Sequence, residues 1–187
     1  MITKLLQYQK TVFTTEELKK IFWWTKDSSL LIKLSRYKQA GKLLNPQKWI
    51  WTLPIFSEEE LVCTLFPQSY ISLESILYEE GIIFQRYGDS TRVIRKNTRQ
   101  KEFQNHHYYA YKIKDQIFLN SLGIREENHI RKATPERALC DLIYLQQKPQ
   151  IDNPDFFHNE QSKARFEQLL PLYPKTTQHV IRQLLKY

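Results

Sequence analysis

The sequence predicts an α+β protein: an N-terminal winged helix-turn-helix followed by a mixed α+β domain with C-terminal helices. Three observations carry that expectation. Helical periodicity in the first forty residues gives way at Gly41 to two short strand-like runs, strand-like alternation gathers between Ile82 and Ala133, and helical patterns return from Pro135 to the end. The expected division is residues 1–53 as a DNA-binding domain and 54–187 as a second domain.

Ile2, Leu5 and Leu6 recur at helical spacing and predict a short amphipathic helix over Met1–Gln9. Thr14 followed by Glu17 matches a capping box, in which each side chain satisfies the other residue's free backbone N–H. It opens a second helix with Leu18, Ile21 and Phe22 as its apolar stripe, ending near Trp23-Trp24. Thr25-Lys26-Asp27 forms a turn, and Asp27 or Ser28 is available to cap a third helix that stops before Gly41. Helix, helix, turn, helix is the order of a helix-turn-helix.

On a wheel stepping about 100° per residue, Leu30, Leu31, Leu34 and Tyr37 share the core side of the third helix. Ser28, Ser29, Ile32, Ser35, Arg36 and Gln39 face outward, with Lys33 on the flank. The outward face of such a helix enters the major groove. Lys26, Ser28, Ser29, Ile32, Lys33 and Arg36 are therefore candidate DNA-binding residues. Hydroxyls can bond bases or phosphates, Arg36 can pair bidentately with guanine or bridge a phosphate, and Ile32 can lie against a thymine methyl. The plain alternative for each residue singly is a solvated helix face.

Lys42-Leu43-Leu44, the turn triplet Asn45-Pro46-Gln47 and the run Lys48–Leu53 predict a hairpin, read as the wing, with Lys42 and Lys48 flanking its tip against the phosphate backbone. Trp49 and Trp51 alternate with Ile50 and are expected to close the small core. Charge supports a polyanion partner: Met1–Leu53 holds ten Lys/Arg against three acids, a balance of +7 out of the chain's +8. Concentrated positive charge releases counterions when it meets phosphates.

Pro54 marks the expected junction, and Ser57 with Glu60 forms another capping box for a helix through Leu65. A helix with Leu73, Ile76 and Leu77 on one face follows Pro67–Tyr70 and is stopped by Gly81. Strand-like runs are Arg92–Ile94, His106–Ile113, Gln116–Leu119 and His129–Arg131, with turn signals at Lys114-Asp115 and Gly123. Thr134 caps a helix with Pro135 at its first position and Ala138, Leu139, Leu142 and Ile143 on its buried face. Helical patterns over Lys163–Leu170 and Thr176–Leu185 complete the chain.

The basic start, the phrase Pro67-Gln-Ser-Tyr-Ile-Ser-Leu-Glu-Ser-Ile-Leu-Tyr-Glu-Glu-Gly81 and the phrase Ala133-Thr-Pro-Glu-Arg-Ala-Leu-Cys-Asp-Leu-Ile-Tyr-Leu145 together resemble the AbiEi family. These are antitoxins and transcriptional regulators of abortive-infection (type IV) toxin–antitoxin systems, a form of phage defence. The similarity spans roughly Val12–Leu145 and departs at the wing, where Lys48-Trp49 stands in the place of a Gly before the aromatic residue. The resemblance implies a repressor that binds repeats in its own promoter and counters a nucleotidyltransferase-like toxin encoded beside it. For that second role Ser75 and Glu79, together with the i,i+4 pair Arg137 and Asp141, are the candidate antitoxin surface. The plain alternative for Arg137–Asp141 is a surface ion pair worth under about 1 kcal/mol.

Four glycines leave no phosphate-cradling loop, nucleophile elbow or Walker pattern, so an enzyme is not expected. His106 and His107 point to opposite faces of a strand and cannot easily share a metal, and no cofactor or metal is expected. The nearest approach to a nuclease constellation, Asp115 with Glu126 and Lys132, has no defensible spacing. Cys63 and Cys140 read as buried thiols, and the absence of an apolar membrane run or signal segment points to the cytoplasm. The expected partners are double-stranded DNA and a toxin, with no membrane, in a monomer or weak dimer. The competing functions are a ligand-sensing or dimerising winged-helix transcription factor and a metal-dependent nuclease.

Overall fold

The computed structural model describes residues 1–85, 90–146 and 150–185. It is a mixed α+β protein that divides into two compact units, Met1–Pro67 and Gln68–Tyr187.

The first unit runs α1 (Ile2–Leu5), β1 (Val12–Thr14), α2 (Thr15–Ile21), α3 (Asp27–Gln39), β2 (Leu44–Gln47), β3 (Ile50–Thr52) and α4 (Glu58–Leu65). Its strands form an antiparallel sheet in the order β1-β3-β2. Leu5, Phe13, Leu18, Phe22, Leu30, Leu34, Leu43, Trp51 and Leu53 form one apolar core, so every element from α1 to β3 contributes to it or flanks it. The expected capping box at the start of α2 is present: Thr14 Oγ1 accepts from Glu17 N, and the Glu17 carboxylate accepts from Thr14 N at 2.7 Å. Strand β1, which periodicity does not reveal, is three residues long and exists because β3 pairs with it, Val12 opposite Thr52 and Thr14 opposite Ile50.

The boundary at Pro54 moves to Pro67. The second expected capping box is half made, and its missing half explains the shift. Ser57 accepts from Glu60 N, but the Glu60 carboxylate turns away to accept from Thr11 N at 2.6 Å, Thr11 Oγ1 at 2.9 Å and Val12 N at 2.9 Å. Thr11 Oγ1 in turn accepts from Ser57 N, so α4 is stitched to the start of β1. Glu60→Ala leaves two backbone donors without their partner, and a cost of about 1–3 kcal/mol is expected in urea unfolding followed by tryptophan fluorescence. All four tryptophans lie in this unit, which makes that signal specific to it.

The second unit holds β4 (Tyr70–Ile71), α5 (Glu74–Glu79), β5 (Ser90–Arg95), β6 (Arg99–Phe103), β7 (His106–Lys112), α6 (Asp115–Phe118), β8 (Ile124–Glu127), β9 (Ile130–Ala133), α7 (Pro135–Gln146), α8 (Glu160–Leu169) and α9 (Lys175–Leu184). Its six-stranded sheet has the order β6-β7-β5-β4-β9-β8, with β5/β7 and β4/β9 parallel and the other neighbours antiparallel. The stretch Gln116–Leu119, expected as a strand, is the single helical turn α6, closed by Phe118 N donating to Lys114 O. His129 lies in the left-handed β8–β9 turn with Asn128, and the strand begins one residue later.

Helix α7 is the hub. Thr134 Oγ1 accepts from Arg137 N, as an N-cap does, and Pro135 takes the first position. Every residue from Pro135 to Ile143 is buried, not only the apolar face, because α5, α8, α9 and β9 surround it. Gln147, assigned to this helix from the sequence, lies outside the described residues. Cys140 is buried within it, Cys63 is half-buried in α4, and neither forms a disulfide. Gly123, with φ +71°, packs so closely that a Cβ there would sit 3.0 Å from Arg137 Cβ and 3.3 Å from Leu169 Cδ2. Gly123→Ala therefore combines a left-handed backbone with an overpacked contact. It is expected to destabilise the second unit by about 2–4 kcal/mol, read as a fall in the circular-dichroism melting temperature.

Candidate functional site

Two sets of candidate residues fare differently. The first set converges on α3. Lys26, Ser28, Ser29, Ile32, Lys33 and Arg36 are all exposed, while Leu30 and Leu34 are buried beneath them. Ile32, an apolar side chain 54% exposed in the middle of this face, is uncovered by anything in its own unit. Leu31 belongs to the exposed side at 38%, a correction to its expected place in the core. The helix turns its core stripe through Leu30, Leu34 and a half-buried Tyr37, which is too narrow to include it.

Neither Asp27 nor Ser28 caps α3. Lys26 stands at the N-cap without a side-chain bond, and the Asp27 carboxylate is taken by Lys19 at 3.0 Å. This matters for the field. Lys19 also holds Glu16 at 3.0 Å, and Lys10 is bonded to Glu17, so the three acids before Leu53 are all engaged by two lysines. Burial raises the Glu17 carboxyl, but hydrogen bonds from Lys10 and Thr14 outweigh it and hold the group below its ordinary value. Lys26, Lys33, Arg36, Lys42 and Lys48 have no carboxylate partner among the described residues. The folded unit also includes Glu58, Glu59 and Glu60, so its excess charge is smaller than that of Met1–Leu53; it is the positions of the cations, more than their sum, that make the α3 face positive.

The hairpin differs from its expected form. Its turn lies at Lys48-Trp49, not at Asn45-Pro46-Gln47, which belongs to β2. Pro46 is accommodated in a bulge between Leu44 and Gln47, spanned by Asn45 Nδ2 donating to Gln47 O at 2.8 Å and Ile50 O at 2.7 Å. Lys48 is thus at the tip and Lys42 at the base, just after Gly41. Trp49 has φ +73° and is half exposed, so it does not close the core; Trp51 does, with its Nε1 donating to Thr15 Oγ1 at 2.9 Å. The Trp49 carbonyl accepts from Thr15 N at 2.8 Å, which anchors the turn to the start of α2. The left-handed backbone at Trp49 is a conformation that a glycine would adopt without strain.

One exposed feature was not anticipated. Trp23 and Trp24, 79% and 55% exposed, stack edge to face immediately before α3, with Lys4 Nζ 3.9 Å from the Trp24 ring centroid. Two consecutive tryptophans at a helix end cannot both enter one core, and that was the available signal.

The second set separates. Glu79 is exposed and bonded to Lys132 Nζ at 2.9 Å, and Ser75 is half-buried with its Oγ accepting from Arg92 N. Lys132 is itself half-buried in β9. Arg137 and Asp141 are not a surface at all: both are fully buried. The Asp141 carboxylate accepts from Tyr70 Oη at 3.0 Å, Ser72 Oγ at 2.8 Å and Tyr173 Oη at 2.6 Å. Arg137 donates to the carbonyls of Ile117 at 2.7 Å and Leu122 at 2.9 Å and to Tyr70 Oη at 3.2 Å, with its Nε 3.4 Å from Asp141 Oδ1. Burial raises the Asp141 carboxyl against the opposing pull of Arg137 and the three hydroxyls. The two sequence phrases that carry the family resemblance meet here, Tyr70 and Ser72 from one and Arg137 and Asp141 from the other, as a packing core.

A cavity of about 240 Å³ opens beside Gly123, lined by Ile124, Arg125, Thr134, Arg165 and Gln168 among others. Arg165 is held there by Glu136 at 3.2 Å. Among the described residues no group of three or more His, Cys, Asp and Glu side chains is placed to hold a metal, and no helix is long and apolar enough to cross a membrane.

No protein-family model and no curated protein matches the chain. Its structure is similar to the crystal structure of the RV2827C protein from Mycobacterium tuberculosis, with a TM-score of 0.60 over 99% of this chain and 74% of that one, at 13% sequence identity. The likeness is one of fold.

Proposed function

We propose that the first unit is a winged helix-turn-helix that binds double-stranded DNA, and that the chain represses its own promoter. The observation that carries this reading is the uncovered α3 face, where Ser28, Ser29, Ile32, Lys33 and Arg36 project from a helix seated by Leu30 and Leu34. Support comes from the element order around it, with α2 before α3 and the β2–β3 hairpin after, its tip bearing Lys48. In this reading α3 is the recognition helix, Lys42 and Lys48 meet phosphates from the hairpin, and Lys26 meets the backbone at the helix start. A promoter–reporter fusion tests it: co-expression of the chain is expected to lower reporter output, and unchanged output would contradict autorepression.

The second half of the reading is that the chain is an antitoxin against a nucleotidyltransferase-like toxin encoded beside it, as in AbiEi systems. It rests on the resemblance of the two phrases. With Arg137 and Asp141 buried and the Ser75 hydroxyl taken by Arg92 N, Glu79 remains the exposed candidate on α5. Growth rescue on co-expression with the neighbouring gene is the expected result, and toxicity that persists beside soluble protein would contradict it. A ligand-sensing transcription factor is the competing reading, favoured by the cavity flanked by Arg125 and Arg165, which suits a small anion.

A further inference from the structure

The second unit carries a basic surface of its own. Between Arg92 and Lys114 the chain has seven Lys/Arg and one acid, Glu102. Arg92 is neutralised by Glu74 at 2.7 Å. Arg95, Lys96, Arg99, Lys112 and Lys114 have no carboxylate partner among the described residues. Strand register brings the cations together: Arg95 lies opposite Lys112, Arg99 opposite Ala110 and Lys101 opposite Tyr108. Residues opposite one another share a face, and so do those two apart, so Arg95, Arg99, Lys101 and Lys112 lie on the face that also carries Val93, Tyr108 and Ala110. Those three are buried, so the cations border a packed face, with Lys96, Arg99, Lys112 and Lys114 exposed at the end where β5 and β7 finish and β6 begins. At Lys101 burial lowers the ammonium's affinity for its proton, and the nearby charges of Arg95 and Arg99 lower it further.

We infer that this exposed basic rim, at the end where β5 and β7 finish and β6 begins, is a second contact surface for the phosphate backbone of duplex DNA. Charge on an edge strand also guards against strand pairing, and β6 is an edge. That explanation covers Arg99 and Lys101 but not Arg95 and Lys112, which sit on the interior strands β5 and β7. A protein partner would need an apolar centre to dock against. Among the described residues the exposed large apolar side chains of this unit are Tyr78, Phe84, Leu119 and Leu122, and none lies on β5, β6 or β7. Cations without an apolar centre suit a phosphate backbone, whose binding gains come from counterion release. The choice of duplex DNA as the polyanion rests on the reading of the first unit.

The test uses the full chain and a labelled duplex of arbitrary sequence, with binding followed by fluorescence anisotropy across a salt series. Arg99→Gln/Lys112→Gln, both exposed positions, is expected to weaken binding several-fold at low salt and to reduce the salt slope by about 1–2, since each phosphate contact contributes about 0.9. The same loss is expected in a Lys33→Ala/Arg36→Ala background. The charge-conserving Arg99→Lys/Lys112→Arg variant is expected to bind as the wild type does. Unchanged affinity and slope for Arg99→Gln/Lys112→Gln in both backgrounds would overturn the inference. If the sheet variant loses binding while Lys33→Ala/Arg36→Ala does not, the sheet surface stands and the α3 reading falls; the reverse outcome keeps α3 and removes the sheet surface.

Discussion

Arg137→Ala is expected to destabilise the second unit strongly while leaving the stability of the first unchanged. The guanidinium is fully buried, reaches the backbone carbonyls of Ile117, Asn120 and Leu122 and Tyr70 Oη, and faces Asp141, which is also fully buried. Removing one member of such a pair leaves the other charge buried without its partner, at a cost of about 3–5 kcal/mol. Domains of this size are stable by roughly 5–15 kcal/mol, so the loss takes a large share of the total and lowers the melting temperature by roughly 10–20 °C. Asp141→Ala is expected to cost as much, because Tyr70, Ser72 and Tyr173 all donate to its carboxylate. Far-ultraviolet circular dichroism should show the early transition, while tryptophan fluorescence, confined to Met1–Pro67, should not. A surface ion pair would have moved neither signal by more than about 1 kcal/mol.

Lys33→Ala and Arg36→Ala are expected to weaken promoter binding without changing stability. Both side chains are exposed and have no carboxylate partner among the described residues, so truncation removes nothing that holds α3 in place. A side chain that reads a base edge contributes about 1–3 kcal/mol, which is roughly a 5- to 150-fold loss in affinity for each. If Arg36 reads a guanine, its loss should relax the sequence preference at one position; if it meets a phosphate, binding should weaken evenly across sequences and the salt slope should drop by about 1. Competition with single-base operator variants separates the two. Wild-type affinity in the double variant would remove α3 as the recognition element.

The parts of the fold legible in the sequence were those decided within a few residues. The Thr14–Glu17 box, the Leu30/Leu34 stripe, the stop at Gly41 and the Thr134-Pro135 start of α7 are all local signals, and all are present. Strands β1, β4, β6 and β8 were not legible, because two to five residues carry too little periodicity and exist through partners distant in sequence. Glu60 has the spacing of a capping box yet serves Thr11 and Val12, 49 and 48 positions away, and no local rule reveals that. Arg137 and Asp141 have the spacing of a surface pair; Tyr70, 67 positions before Arg137, helps make the interior that accepts them. The candidate site on α3 was legible because a helical wheel needs only the helix, whereas the turn at Trp49 depended on a left-handed residue that side-chain type does not favour.

The most direct measurement is the affinity of the full chain for duplex DNA from its own promoter, set against a scrambled duplex of equal length, between about 50 and 200 mM salt. Tighter binding to the promoter is predicted, with a linear and steep fall of log affinity against log salt that becomes shallower in Lys33→Ala/Arg36→Ala. Equal affinity for the two duplexes, or binding indifferent to salt, would contradict the assignment of α3 as a DNA-reading helix.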